Sequence, residues 1–285
     1  MNGTRTDLAL ETVEELRSGG DISQLDGVSV AEYTHCGYGV TCVRVEGAAA
    51  ARRLGKPEGQ YVTVDLRPYF RREKDFFRRA AACVAAELGR LLQGMEGETV
   101  LVAGLGNRGM TADAVGPLAL ESLLVTRHMI RALPRQFRGF TPVAALAPGV
   151  LAQTGMEAAE LLRAAADAAG AGAVVAIDAL AARSRDRLCA TVQLGDTGLI
   201  PGSGVGNHRK AVNARTLGVP VIAVGVPTVI AASLLEGEGE DEDPLFLTPR
   251  DIDSRVRELG RVIGYGVTLA LQKGLNVEDV TGLLG

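Results

Sequence analysis

The chain has 285 residues, of which 47% are apolar and 22% are charged, and its formal net charge is −4. This length is enough to bury one large core or two modest ones, and this balance excludes intrinsic disorder, collagen-like repeats and coiled coils. Aromatic residues make up only 4% of the chain, and Trp is absent. Because a nucleic-acid binder needs a basic surface and stacking side chains, we expect no direct contact with nucleic acid.

Cysteine and histidine spacing does not indicate a zinc site or a disulfide framework. The four cysteines include no C-x-x-C pair, and the three histidines lack zinc-ligand spacing. Residues 1–16 lack the basic region and apolar run of a secretory signal, and no stretch reaches the ~20 apolar residues of a membrane span. We therefore expect reduced thiols, no metal and a cytoplasmic protein without membrane attachment.

Residues 27–95 predict a small antiparallel β portion followed by a helix. Alternating apolar and polar residues over 27–46 indicate two strands that turn near Gly37. Residues 61–66 predict a third strand, and apolar residues at helical spacing predict an amphipathic helix over 70–92.

From about residue 99 to 285 the pattern changes to short apolar runs separated by Ala- and Leu-rich helical stretches. Apart from Thr99 and Asp178, the runs at 99–106, 171–180 and 219–227 are apolar, which is typical of parallel strands buried on both faces. The fold class predicted is therefore α/β, a three-layer α/β/α sandwich. In such folds ligands bind beyond the carboxyl ends of the strands.

An acidic run, EGEGEDEDP at 236–244, is expected to be a solvated loop. After it, Thr248 is predicted to cap a helix that has Pro249 at its first position and Asp251 at its third.

Two aspartates follow apolar runs and are the first candidates for catalysis. Asp113 lies in the glycine-rich turn after the first run, and Asp178 follows the second. Either acid alone is explained by helix capping or a turn. Two carboxylates at the ends of two parallel strands would instead converge on one crevice, where they can share a proton and activate a water molecule.

The glycines of the first loop also satisfy a weaker motif. Gly104, Gly106 and Gly109 match G-x-G-x-x-G after a strand. A dinucleotide site would need a helix that opens within the glycines and an acid about 20 residues further on. Because Pro117 marks a later helix start and no such acid follows, we do not expect NAD.

A second glycine-rich loop, 194–210, leaves three interpretations open. The loop could bind phosphate through its backbone N–H groups, although it lacks the Walker spacing. It could carry a serine nucleophile at Ser203, or it could be a structural or substrate-binding loop. The last is favoured because its glycines permit positive φ angles and an exposed backbone.

Six collinear segments resemble the germination protease (spore protease) family of endospore-forming bacteria. They are RTDLALE at 5–11, GLGN and TADAVGP within 104–117, LAPGVLAQTGMEAAE at 146–160, AIDALAARS at 176–184, DTGLIPGSGVGNHRK at 196–210 and GVPVIAVGVPTVI at 218–230. Other members are longer and carry an insertion where this chain has only residues 236–244.

The resemblance implies an aspartic-type endopeptidase that needs no metal or cofactor. It places the catalytic aspartates at Asp113 and Asp178, and it implies a fold similar to the hydrogenase maturation proteases. The implied substrates are the small acid-soluble DNA-binding proteins of the spore, degraded in the spore core when germination begins. The resemblance also suggests a homotetramer.

The same resemblance implies a zymogen that removes its own propeptide. Residues 1–7 are the possible propeptide, with the processed bond between Asp7 and Leu8, and residues 8–285 form a single peptidase domain.

Several residues of the two glycine loops are candidates for binding substrate or the oxyanion. They are Gly104, Gly106, Asn107, Gly202, Ser203, Gly204, Asn207 and His208.

Two alternatives remain. Two acids together with His208 could hold a divalent ion, as in a nickel-dependent maturation-type endopeptidase. The glycine loops could instead form a non-catalytic nucleotide- or partner-binding module.

Overall fold

The structure is a computed structural model, and it describes residues 6–18, 26–95, 97–206, 209–232 and 245–285. Nine strands in these ranges form one sheet. The strands are β1 (Val28–His35), β2 (Tyr38–Val45), β3 (Gly59–Asp65), β4 (Thr99–Leu105), β5 (Val143–Gly149), β6 (Ala171–Ala182), β7 (Thr191–Gly195), β8 (Val221–Ala231) and β9 (Phe246–Leu247).

Helices lie on both faces of this sheet. They are α1 (Ala9–Ser18), α2 (Ala48–Leu54), α3 (Phe76–Leu91), α4 (Val115–Leu120), α5 (Arg127–Ala132), α6 (Leu151–Thr154), α7 (Ala158–Ala169), α8 (Ala214–Leu217), α9 (Ile252–Leu271) and α10 (Val277–Leu284). No helix in the described ranges has the length and apolar character needed to cross a bilayer.

One half of the sheet is parallel, as the continuous apolar runs predicted. Its strands lie side by side in the order β5, β4, β6, β8. Val102 of β4 is paired with Val175 of β6, which in turn is paired with Ile222 of β8. All three side chains are buried, so this half supplies the centre of the core.

The other half is antiparallel and continues the same sheet. The strand β7 pairs with β8, and β3, β2 and β1 follow in that order. The predicted strand pair near Gly37 is present, and it joins the sheet through the pairing of Val62 in β3 with Leu194 in β7. The N-terminal strands and the parallel strands therefore share one sheet.

Two apolar layers flank the parallel strands. On one face Val84 of α3 and Leu259 of α9 pack against the sheet, and on the other Leu162 of α7 does so. Each of these side chains is fully buried, which contributes about 1.5–3 kcal/mol per residue. The three-layer α/β/α prediction is confirmed.

The start of α9 differs from the prediction. The helix begins at Ile252 rather than after Thr248, because residues 249–252 form a turn in which the Ile252 N–H donates to the Pro249 carbonyl oxygen at 3.1 Å. The Thr248 hydroxyl donates to the Pro249 carbonyl oxygen instead of capping the helix. The acidic run at 236–244 lies outside the described residues.

Candidate active site

A cavity of about 370 Å³ opens at the carboxyl ends of the parallel strands, where the sequence predicted a site. Its walls come from the loop after β4, the turn after β5, the far ends of β6 and β8, and the glycine loop near residue 202. Asp113 and Asp178 both line it.

Asp178 lies inside β6 rather than after it. The pairing of β6 with β4 stops at Ile177, opposite Gly104, whereas β6 continues beside β8 as far as Ala182. Asp178 is thus the first residue of β6 beyond the pairing with β4. The sequence predicted that the strand ends at Ile177, and this was wrong by five residues, because the pairing with β8 keeps the chain extended as far as Ala182.

The Asp178 carboxyl group is almost completely buried, with 4% of the residue exposed. Its Oδ1 accepts a hydrogen bond from the Ala179 backbone N–H at 2.9 Å. Burial raises the pKa of Asp178 well above its usual range, and the negative charge of Asp113 raises it further. This environment favours the protonated form of Asp178.

Asp113 lies in a 3-10 turn, Thr111–Asp113, that precedes α4. Its Oδ2 accepts a hydrogen bond from the Asn107 backbone N–H at 2.7 Å. It does not cap α4, because the N-cap residue is Ala114 and no side chain makes a capping bond there. Burial raises the pKa of Asp113, and the hydrogen bond from Asn107 opposes this shift.

The structure thus brings the two predicted aspartates into one cavity, close enough for their charges to interact. The carboxyls differ in their surroundings, since Asp178 is the more deeply buried and Asp113 is partly exposed. A pair of this kind holds one proton between two groups over a range of pH. It can therefore supply an acid and a base at the same time.

Close backbone packing fixes the loop that carries Asp113. Gly106 has a φ angle of +105°, and a Cβ atom there would lie 2.0 Å from the Asp113 carbonyl oxygen. Only glycine fits this position. On the other side, the buried Thr228 hydroxyl of β8 donates to the Ala112 carbonyl oxygen at 2.6 Å.

Thr228 was missed by the sequence reasoning. The available signal was its position near the carboxyl end of an apolar parallel strand, the same signal that pointed to the two aspartates.

Of the three binding candidates in the loop after β4, two line the cavity and one does not. Gly106 and Asn107 line the cavity, but the Asn107 N–H already donates to Asp113. Gly104 lies within β4 and is not among the lining residues. A Cβ atom there would be 2.5 Å from the Gly116 carbonyl oxygen, so this glycine lets α4 pack on β4.

The second glycine loop also reaches the cavity. Gly202 and Gly204 line it, and Ser203 begins a 3-10 turn. The Ser203 hydroxyl donates to the Asp7 carboxylate at 2.7 Å. Asn207 and His208 lie outside the described residues.

The N-terminal segment forms part of the cavity wall. Asp7 is a lining residue. Its N–H donates to the Ala181 carbonyl oxygen at 3.0 Å, and its Oδ2 accepts from the Ala181 N–H at 2.8 Å. The next residue, Leu8, is fully buried.

Glu11 anchors this segment. Its carboxylate is buried and accepts hydrogen bonds from the Arg183 and Ser184 backbone N–H groups at 2.7 and 2.8 Å. The N-terminal helix α1 is thereby fixed beside the end of β6.

Within the part of the chain that the structure describes, no three His, Cys, Asp or Glu side chains are grouped so that they could hold a metal ion. The hypothesis of two acids plus His208 is not tested by this, because His208 is outside that part.

Comparison with known proteins relates the chain to one family. Residues 6–241 match the family profile described as germination protease. The germination protease of Caldanaerobacter subterraneus subsp. tengcongensis is 35% identical over 322 residues, which covers 99% of this chain and 98% of the relative. That of Clostridium perfringens is 34% identical over 325 residues and covers all of both chains. The Bacillus subtilis protein is 39% identical over 284 residues, which covers 97% of this chain and 76% of the relative.

A solved structure was also found to be similar. It is a NiFe hydrogenase maturation protease from Thermococcus kodakarensis, with a TM-score of 0.39 and 18% identity, covering 64% of this chain and 98% of the other. The sequence matches extend over the whole chain, and from them we conclude that it belongs to the germination protease family of peptidases.

Proposed function

We propose that this protein is an aspartic-type endopeptidase that begins the degradation of small acid-soluble, DNA-binding spore proteins during germination. The observation that carries the proposal is the placement of Asp113 and Asp178 in one cavity with carboxyl groups in unequal surroundings. Membership of the germination protease family supports the substrate and the setting.

The unequal surroundings suggest how the two acids divide the work. Asp178 is nearly fully buried and is the better candidate for the protonated acid. Asp113 also accepts one backbone N–H bond but is partly exposed, and lower burial favours its ionised form relative to that of Asp178, so we assign it as the base.

In this scheme Asp113 removes a proton from a water molecule that attacks the peptide carbonyl carbon. Asp178 donates its proton to the carbonyl oxygen, which gives a tetrahedral gem-diol. Asp113 then passes the proton taken from water to the amide nitrogen, the C–N bond breaks, and Asp178 regains a proton from the gem-diol as the carboxylic acid product forms. Paired acid and base groups of this kind contribute typically 10²–10⁴-fold each to a rate.

The backbone of the second glycine loop is available to bind substrate. Gly202 and Gly204 line the cavity, whereas the Ser203 N–H already donates to the Ile200 carbonyl oxygen. We propose that the partly exposed backbone of Gly202 and Gly204, and the backbone of Gly106 where it lines the cavity, contact the substrate or the oxyanion. A donor in that role is typically worth about 3 kcal/mol.

We also propose that residues 1–7 are a propeptide and that the bond between Asp7 and Leu8 is processed. The contacts of Asp7 with Ala181 and Ser203, inside the cavity wall, support a link between this segment and the site. Location in the spore core and assembly as a homotetramer complete the proposal on the strength of the family likeness, and sedimentation of the purified protein tests the second.

The decisive experiment is incubation of the purified chain with a small acid-soluble spore protein, followed by mass spectrometry of the fragments. We expect a small set of defined internal cuts that Asp113→Asn and Asp178→Asn do not produce. An intact substrate after processing of the N-terminus would overturn the proposal. A binding module would retain the substrate without cutting it.

A further inference from the structure

We infer that the Ala181 backbone N–H, the Ser203 hydroxyl and the open space above Gly204 form a carboxylate-binding subsite of the cavity. The chain's own Asp7 occupies this subsite, and an Asp or Glu side chain of a peptide substrate takes its place when the N-terminal segment leaves. The inference rests on the proposed peptidase function and names where that function recognises an acidic side chain.

The subsite already binds a carboxylate with good geometry. Asp7 Oδ2 accepts from the Ala181 N–H at 2.8 Å, and Asp7 Oδ1 accepts from the Ser203 hydroxyl at 2.7 Å. Each oxygen therefore has its own donor. Hydrogen bonds to a charged acceptor are about twice as strong as those between neutral groups, so this pair of donors favours a carboxylate.

Gly204 is what allows the carboxylate to approach. A Cβ atom at this position would lie 2.3 Å from Asp7 Oδ2 and 2.4 Å from the Ala181 Cβ. Any side chain at residue 204 would thus invade the position of the bound carboxylate. The glycine provides space for the ligand and for the neighbouring end of β6.

The position of the subsite fits a peptide that also reaches the aspartate pair. Ala181 lies three residues beyond Asp178 along β6, which is about 10 Å in an extended strand. Asp7, Asp113 and Asp178 line the same cavity, and the charge of Asp7 is one of the smaller contributions that raise the pKa of Asp178. An extended substrate covers this distance with about three residues.

The occupant does not present its own peptide bond for cleavage in this arrangement. The Asp7 carbonyl oxygen accepts from the Gln193 side-chain amide at 3.0 Å, and the Leu8 N–H donates to Thr6 Oγ1 at 3.1 Å. The Leu8 side chain is fully buried. Since both polar groups of the Asp7–Leu8 bond are engaged elsewhere, Asp7 acts here as a competitor for the subsite.

Departure of Asp7 would leave the subsite intact. The Ala181 N–H and the Ser203 hydroxyl would then face the cavity without their acceptor, and an acceptor supplied by a ligand would restore both bonds. Unpaired donors at a partly buried position carry a free-energy cost that such a ligand removes.

The test measures binding without hydrolysis. The protein is the full chain carrying Asp7→Ala to empty the subsite and Asp178→Asn to prevent cleavage. The probe is a fluorescein-labelled peptide with the sequence of residues 5–14, compared with the same peptide carrying Asn in place of its aspartate. Fluorescence polarisation should give at least about tenfold tighter binding of the aspartate peptide, as expected for hydrogen bonds to a charged group.

Adding Ser203→Ala should reduce this preference by roughly tenfold, and Ser254→Ala should leave it unchanged. Ser254 is the matched control, because its hydroxyl donates to a backbone carbonyl on α9 and it is not a cavity residue. Gly204→Ala is the second variant and should abolish the preference by filling the carboxylate position. Melting temperatures of all variants establish that they are folded.

Equal binding of the two peptides, or a preference that survives both Ser203→Ala and Gly204→Ala, would overturn the inference. Failure of the proposed function would give a different result. The unaltered chain would cut no spore protein, while the double variant would still bind the aspartate peptide more tightly than the asparagine peptide.

Discussion

The backbone N–H of Asn107 donates to the carboxylate of Asp113 at 2.7 Å, and this bond closes the loop between β4 and α4. Asp178 likewise accepts one backbone N–H bond, from Ala179, so the two carboxyl groups differ mainly in burial: Asp113 is partly exposed, whereas Asp178 is nearly fully buried. Burial raises the pKa of both carboxyl groups, and it acts more strongly on Asp178, so Asp178 holds a proton more readily than Asp113. This difference has consequences that can be measured separately.

Asp113→Asn and Asp178→Asn should each reduce kcat/KM for a spore-protein peptide by at least about 100-fold, because Asn cannot ionise or transfer a proton. The fold should persist, since an amide oxygen can still accept the bonds from Asn107 and Ala179. Initial rates and circular dichroism of the same preparations check both statements. Activity within threefold of the unaltered chain would make that residue structural.

Stability should depend on pH through Asp178. Its pKa in the folded protein is well above the ordinary value of 3.8 because of burial and the charge of Asp113. Between the two values the folded protein binds more protons than the unfolded chain, so the free energy of unfolding falls as pH rises through that interval. Asp178→Asn should remove the part of this fall that Asp178 causes and should be relatively more stable at neutral pH.

Urea unfolding of both proteins at pH 4 and pH 7 measures the effect. The free energy of unfolding of Asp178→Asn, relative to that of the unaltered chain, should increase from pH 4 to pH 7. Asp253→Asn, a change of the same kind on exposed α9, serves as the control and should not show this growth. Parallel changes in the unaltered chain and in Asp178→Asn would contradict the assignment of the raised pKa.

The parallel half of the sheet and the placement of the aspartates were accessible from sequence because continuous apolar runs identify doubly buried strands, and strand ends identify a crevice. The contacts that hold Asp7 in the cavity wall were not accessible in the same way. The place of Asp7 depends on the pairing of residue 7 with Ala181, a contact between positions 174 residues apart that local periodicity does not encode. The role of Thr228 was not predicted for a similar reason, because its partner Ala112 lies in the turn after β4, far away in the sequence.

Thr228→Val should lower kcat more than it changes KM. The substitution removes the hydroxyl that holds the Ala112 carbonyl oxygen, leaving that oxygen without its donor next to Asp113. A stability loss of about 1 kcal/mol is expected from the lost hydrogen bond. Thr191→Val is the matched control, since this buried hydroxyl also donates to a backbone carbonyl, that of Arg187, but lies outside the cavity. A similar kcat in both variants would exclude a positioning role for Thr228.

Treatment with EDTA or a nickel-selective chelator should leave activity unchanged, because the proposed chemistry uses two carboxyl groups and a water molecule. The measurement is the initial rate before and after exhaustive dialysis against chelator, with a known zinc protease treated in parallel. Loss of activity that one added divalent ion restores would instead favour a metal-dependent maturation-type peptidase.

The last prediction concerns the N-terminus. At mildly acidic pH and lowered water activity, conditions of a maturing spore, the purified chain should lose residues 1–7 in step with a gain in activity. Because the Asp7 carbonyl and the Leu8 N–H are engaged by Gln193 and Thr6, the segment must first detach. Gln193→Ala removes one of these bonds and should speed processing several-fold, as expected for a net stabilisation of about 1 kcal/mol.

Intact-mass measurements over time, beside activity assays, follow this process. Asp113→Asn should keep its N-terminus when incubated alone. Addition of a trace of active enzyme distinguishes the route: a detached segment is open to a second molecule, so the inactive variant should then be trimmed at the same bond. Activity that rises while the intact mass stays constant would show that removal of this segment is not the switch. Trimming of Gln193→Ala at the unaltered rate would show that the bond from Gln193 does not restrain the segment.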